Sequence, residues 1–425
     1  MQNRPPQIKP CPGYNIMKHI FVILAMLALP LATVYPQIAG YPDFEVVEST
    51  PTETTLDNPD IRNAREVWIE MIGRARQSLD FEEFYISNQA GEELEGVLKA
   101  VMQAAARGVK VRFVVDAGMY KTYPEMVDSL GKQNNISVRV IDYRKLAGGI
   151  QHSKYFTVDG DEVFIGSQNF DWRALNQIHE LGVRISNKEA VQVYQDLFDL
   201  DWKLSETNDP ADIPKFLHHV TYPMPIRVVE ESGDTLTYVP TCSPKVLDPD
   251  TMLWDESNIV RLIDGARRQV LLQFLTYTPL TYGKGMYTVL NDALVRAARR
   301  NIKVKLIVSD WEKTPRQIEQ LKLLAANRNI DVKFSDIPDL PSRYISFARV
   351  EHCKYVVVDS CSCWIGSSNA EKSYFYNTRN VGVVVSNAKV AGILERVFMK
   401  DWDGPYTEFV RQDGEYRPKA HGEKK

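Results

Sequence analysis

A chain of 425 residues has room for two domains of ordinary size and a sizeable core. Its composition, 44% apolar and 25% charged, is that of a globular protein. A net charge of −4 excludes an overall basic field for nucleic acid, so any attraction for phosphate must be local.

In chain order, residues 1–39 read as a signal peptide region. Lys18 and His19 precede an apolar run from Ile20 to Ala32, and polar residues resume at Thr33. Thirteen residues are short for a bilayer span, which needs about 20. Met17 is a candidate start, and Ala32 and Ala39 are candidate cleavage points. The expected location is therefore periplasmic, secreted or lumenal, with an uncleaved membrane anchor as the alternative.

A first half follows at 40–209, a Pro-rich linker at 210–250 with Pro210, Pro214, Pro223, Pro225, Pro240 and Pro244, a second half at 251–411, and a polar tail at 412–425 expected to be disordered. The halves repeat one another. Ile72–Phe81 resembles Ile263–Leu272, each a helix end running into a buried strand. Leu98–Asp116 resembles Leu290–Ser309. In each copy a helical pattern ends at a residue that tolerates a left-handed cap, Gly108 or Asn301, and an apolar strand follows. Helices alternating with strands predict an α/β layered fold.

The repeat carries chemistry. His152, Lys154, Asp159, Gly166, Ser167 and Asn169 recur at the same internal spacing, 200 residues later, as His352, Lys354, Asp359, Gly366, Ser367 and Asn369. On a strand, positions i and i+2 share a face, so each His projects with its Lys. Asp159 and Asp359 sit beside a turn and are expected to hold that turn or a neighbouring backbone donor. Placed about a pseudo-twofold axis, the two sets converge on one phosphate. One imidazole attacks phosphorus and the other moves the proton, roles suited to a reference pKa of about 6.5. The Lys154, Lys354, Asn169 and Asn369 side chains donate to the non-bridging oxygens. The lysines supply the charge that magnesium supplies elsewhere, so no metal or other cofactor is expected.

The copies differ at one telling place. Glu180 lies 28 residues after His152, and the matching position after His352 is Asn380. Glu180 is expected to orient one of the two histidines, with a solvated strand-end glutamate as the plain alternative. His152 is the candidate nucleophile and His352 the candidate acid/base.

Four cysteines beyond Cys11 leave room for up to two bridges, Cys242, Cys353, Cys361 and Cys363. Cys353 faces away from its neighbours His352 and Lys354 and reads as core packing. No spacing supports a zinc site or a serine hydrolase. Phe81, Phe84, Tyr85, Phe274 and Tyr277 fall near the site by the repeat alignment, as surfaces for bases or as strand packing. Leu280–Tyr287 reads as a mobile entrance loop.

These paired motifs resemble those of the phospholipase D superfamily over nearly all of residues 45–410. The stretch Gly166–Gly182, Phe347–Tyr355, Ser373–Phe375 and Asp401–Tyr406 are similar to the lysosomal 5′-exonuclease branch, kin to a poxvirus envelope phospholipase. The resemblance implies a duplicated phospholipase D-like α/β sandwich, two sheets related by pseudo-twofold symmetry with the site at their junction. It implies phosphodiester hydrolysis through a phosphohistidine, on single-stranded nucleic acid or on phospholipid, with no obligatory protein partner. The alternatives are a transphosphatidylase acting on lipid head groups and, in another class, a silent envelope or binding protein. Erosion of a motif would favour the last, and none of the twelve positions is eroded.

Overall fold

The computed structural model describes residues 43–229, 233–281 and 285–422, so the expected signal region lies outside the described residues. Among those described, no helix is long and apolar enough to cross a membrane.

Seven strands form the body of the first sheet: β1 (Phe44–Ser49), β2 (Ser78–Glu83), β3 (Lys110–Asp116), β4 (Ile136–Ile141), β5 (Lys154–Val158), β6 (Glu162–Gly166) and β7 (Glu180–Ile185). Seven more form the second: β8 (Thr235–Ser243), β9 (Gln269–Phe274), β10 (Lys303–Ser309), β11 (Ile330–Ser335), β12 (Tyr355–Val358), β13 (Ser362–Gly366) and β14 (Asn380–Ser386). The spatial orders are β1-β7-β6-β5-β2-β3-β4 and β8-β14-β13-β12-β9-β10-β11. They match strand for strand. Short edge strands, Arg62–Asn63 on the first sheet and Ile226–Val229 and Thr407–Phe409 on the second, extend them.

Strand period decides how the sheets stack. Tyr155 of β5 points into a core shared with Tyr355 and Val357 of β12, whereas Phe156 and Val158 point the other way. That shared core is the junction between the sheets. Helices α3 (Lys188–Leu204) and α6 (Ala388–Asp403) belong to it. Asn187 and Asn387 start these two helices by accepting from backbone N–H groups of the first turn. The outer face of the first sheet packs against α1 (Ala64–Arg74) and α2 (Leu94–Ala106). The outer face of the second packs against α4 (Asp255–Gly265) and α5 (Val289–Arg299). Gly108 and Asn301 end α2 and α5 at positive φ, +96° and +64°.

Three expectations need correction. The stretch 210–250 is only partly a linker: Thr235–Ser243 is a full member of the second sheet, paired along β14 as β1 is along β7. Its prolines mislead because Pro240 sits within that strand, opposite Val383. The tail is not loose as far as Gly422. Tyr416 packs on Phe334 with ring centroids 4.9 Å apart, Lys419 pairs with Asp339 at 3.0 Å, and His421 pairs with Asp310 at 2.8 Å. A polar composition hid these anchors. Cys242, Cys353 and Cys363 are buried free thiols, so two bridges do not form among the four cysteines.

The two motif aspartates do one mechanical job. Asp159 accepts from the backbone N–H groups of Arg76, Gln77 and Ser78 at 2.7–2.9 Å. Asp359 accepts from those of Arg267, Arg268 and Gln269 at 2.8–2.9 Å. Each carboxylate ties the hairpin that carries the HxK strand to the start of the adjacent strand, at φ near +55°. Replacing Asp359 by Ala should cost about 2 kcal/mol in urea unfolding, and by Asn distinctly less, because Asn keeps one acceptor and tolerates that backbone.

Candidate active site

His152 and His352 stand just before β5 and β12, not within them. What fixes them is the opposite half. The His152 N–H donates to Arg379 O at 3.0 Å, and the His352 N–H donates to His179 O at 2.9 Å. Each bond is the other displaced by 200 residues in both partners, the reciprocity a twofold axis requires.

The side chains exchange in the same way. His352 Nδ1 lies 2.7 Å from Glu180 Oε2, and His152 Nδ1 lies 3.1 Å from Asn380 Oδ1. Both acceptors leave Nε2 as the working nitrogen. Sequence comparison marks Asn380 only as the place without a carboxylate, yet it holds its histidine as Glu180 holds the other. The lysines are buried and each donates to the carbonyl of its own histidine, Lys154 at 2.6 Å and Lys354 at 2.5 Å.

Glycines let the next layer close. Gly166 pairs with Gly182, and Gly366 with Gly382. A Cβ on Gly366 would lie 2.6 Å from Val381 O, so the strands can approach only without one. The chain then delivers Ser167 and Ser367. Each hydroxyl bridges the N–H and C=O of a residue following the histidine-holding side chain, Leu181 or Val381. The serines are thus struts. Asn169 and Asn369 are buried with amide oxygens that have no hydrogen-bond partner.

Electrostatics show how close the four principal groups are. Burial first, and then the ammonium groups of both Lys154 and Lys354, hold each imidazole well below the usual histidine range. Burial and Lys354 push Lys154 far down, and burial brings Lys354 down to about 8. Glu180 is pushed up by burial against the pull of Lys354. Glu83, Glu180 and Asp116 pull Lys154 the other way without offsetting burial and Lys354.

Beneath each histidine lies a buried polar network that the motifs do not disclose. In one, Arg379 grips Asp201 through two hydrogen bonds of 2.7 and 3.0 Å, beside Glu82, which burial and Asp201 push well up. In the other, His179 bonds Glu351 at 2.7 Å and lies 3.7 Å from Asp401, which burial pushes up to about 7. Each network pairs one cation with a buried carboxylate, Asp201 or Glu351, and sets a second acidic side chain, Glu82 or Asp401, beside it. The ligand atoms of His179, Glu351 and Cys353 lie within 4.8 Å of one another, a grouping that suits a metal by chemistry. Glu351 is already engaged by His179 and by the Cys353 N–H, and Arg379 fills the equivalent place in the other half. The set therefore reads as an ion pair with a protonated imidazole.

Of the aromatics expected near the site, Phe81, Phe274 and Tyr277 are core residues at 2% exposure or less. Phe84 reaches the site, its ring 5.0 Å from that of His152. Tyr85 packs on Phe84, and the unanticipated Tyr374 meets the other side of His152 edge-on at 4.9 Å. The ends of the expected entrance loop are tied: the Tyr287 N–H donates to Pro279 O at 2.7 Å, and residues 282–284 lie outside the described residues.

Replacing His179 by Gln should destabilise the fold by about 3–5 kcal/mol, since Glu351 is left buried and unpaired, whereas Arg should restore part of the loss. Glu351 and Asp401 overcome burial to raise His179 to about 10, so the contribution is complete below pH ~6.5 and is lost as pH rises through about 10. Urea unfolding against pH measures both.

The family described as cardiolipin synthase, PLD-like domain, matches residues 68–202 and 259–402. The 5′-3′ exonuclease PLD3 of Bos taurus is 30% identical over 395 residues, 85% of this chain and 79% of that protein. The virion nicking-joining enzyme of vaccinia virus is 29% identical over 364 residues, 80% of this chain and 83% of that protein. The fold is shared with phosphatidylserine synthase of Haemophilus influenzae, with a TM-score of 0.57 at 13% identity, covering 83% of this chain and 86% of that one. With each matched segment containing one of the doubled His-Lys-Asn sets, the chain belongs to the phospholipase D-like family and is a phosphodiesterase-type enzyme.

Proposed function

We propose that this protein hydrolyses phosphodiester bonds of single-stranded nucleic acid, without a metal, through a covalent phosphohistidine on His152. The convergence of His152, Lys154, His352 and Lys354 from two halves carries the reading. The names of the two relatives, an exonuclease and a nicking-joining enzyme, favour nucleic acid over lipid. The signal-like run Ile20–Ala32 supports export.

In the first step His152 Nε2 attacks phosphorus and the bond to the leaving oxygen breaks. The His352 imidazolium gives that oxygen its proton. In the second step water attacks phosphorus, His352 takes the water proton, and the P–N bond breaks. Neither step needs more than the two imidazoles and water. The division of labour follows the partners. An acid/base must pass through imidazolium, which the Glu180 carboxylate stabilises, whereas the neutral Asn380 fixes the His152 tautomer without adding charge. Lys154, Lys354, Asn169 and Asn369 hold the non-bridging oxygens as charge shifts among them.

Rapid quenching with labelled single-stranded DNA should trap phosphoenzyme in His352→Ala and none in His152→Ala, with turnover in each down by at least about 10²–10⁴-fold. An adduct on His352 would reverse the assignment. The same DNA and phosphatidylglycerol, offered in parallel in EDTA, separate nuclease from lipase. Activity abolished by EDTA would sink the mechanism.

Because both histidine pKa values lie well below 6.5, the acid form of His352 is populated only at low pH. Activity should therefore be greatest in acid and fall as pH rises, with a further loss above about 8 as Lys354 gives up its proton. Steady-state kcat/KM across pH checks this.

A further inference from the structure

We propose that Phe84, Tyr85 and Tyr123 form a stacking platform for the nucleobase beside the scissile phosphate, present on the first-half side only. This rests on the nuclease reading and adds to it a subsite and a strand polarity.

The three rings are half-buried, unlike Phe81, which ends in the core. They form a continuous row leading away from the nucleophile. Phe84 is 5.0 Å from His152, and the Lys154 ammonium lies 5.1 Å from its ring centre. Tyr85 meets Phe84 edge-on at 5.5 Å and lies nearly parallel to Tyr123, 5.0 Å away with 22° between planes.

The row is rigid. The Tyr85 hydroxyl donates to Asp171 at 2.7 Å, and Asp171 is paired with Arg173 at 2.5 Å. Arg173 in turn engages Tyr123. Both tyrosines are thus anchored to one ion pair, with little freedom left to lose when a base stacks. Flat rings with tethered polar edges suit a heterocycle, and they offer no extended apolar trough for an acyl chain.

Among the described residues, the second half has no counterpart of Phe84 and Tyr85. The Asp116 N–H donates to Phe84 O where the Ser309 N–H donates to Leu275 O, and the bridge Ile86 to Phe170 matches Tyr277 to Ala370. That register puts Leu275 and Thr276 in the places of Phe84 and Tyr85. Leu275 is 5% exposed, and Thr276 is bonded to Glu371. A strand crossing the phosphate site meets this row of three rings, among the described residues, at the Phe84 end, so its two polarities are not equivalent.

The test compares kcat/KM for single-stranded oligonucleotides carrying an abasic residue on one side or the other of the scissile phosphate. The wild type should lose at least about fivefold for an abasic residue on one side and little on the other. In Tyr123→Ala, at the outer end of the row, that penalty should shrink. In Phe84→Leu with Tyr85→Thr, which copies the second half, it should vanish. Thermal unfolding reports whether each variant folds, and Tyr123→Ala decides if the double variant does not. Equal cleavage of intact and abasic strands by the wild type, or a penalty unchanged in Tyr123→Ala, overturns the platform. An enzyme that cleaves phosphatidylglycerol but no oligonucleotide overturns the nuclease reading and the platform with it.

Discussion

The rest of the site depends on an exchange: neither half positions its own histidine. The backbone N–H of His152 is spent on Arg379 and that of His352 on His179, while the imidazoles are held by Asn380 and Glu180. A backbone bond and a side-chain bond from consecutive residues fix both the place and the rotation of each ring. The sheets must meet at one register for this to happen. The shared core of Tyr155, Ile165, Val183, Tyr355, Ile365 and Val383 enforces that register, because a one-residue slip would turn those side chains to the outer faces.

Burial then does the chemistry's preparation. Burial, and after it the neighbouring Lys154 and Lys354, hold both imidazoles well below the usual histidine range. The deeper networks keep that arrangement still. Arg379 and His179 sit next in sequence to Asn380 and Glu180, so the charged anchor and the histidine holder are adjacent residues on one strand end. At each strand end the cation is paired with a buried carboxylate, Asp201 or Glu351.

Much of this was legible in the residues. The doubled motif spaced by 200 residues, the layered α/β halves, the aspartate's role at the turn and the interest of Glu180 all follow from spacing and strand period. Other features were hidden for physical reasons. The surface alternative for Glu180 stays open in the sequence because sequence does not show that the opposite sheet covers it. Asn380 reads as a loss because an amide and a carboxylate differ in charge, although they share the acceptor geometry that positions an imidazole. The linker reading failed at Pro240, whose composition signal ignored the partner strand. Phe84 and Phe81 look alike in sequence, and only the end of β2 separates a core ring from a site ring.

The cross-half exchange bears on how such a site can evolve. Two identical chains meeting about a true axis would carry the same residue at both histidine-holding positions, because one gene writes both. Any change that suited one histidine would be imposed equally on the other. Joining the copies into one chain removes that constraint. Glu180 and Asn380 are free to differ, as are His179 and Arg379, and Phe84 and Leu275. The covalent connection between the halves therefore does more than raise their effective concentration: it is the condition under which a symmetric scaffold can hold its two histidines by different partners.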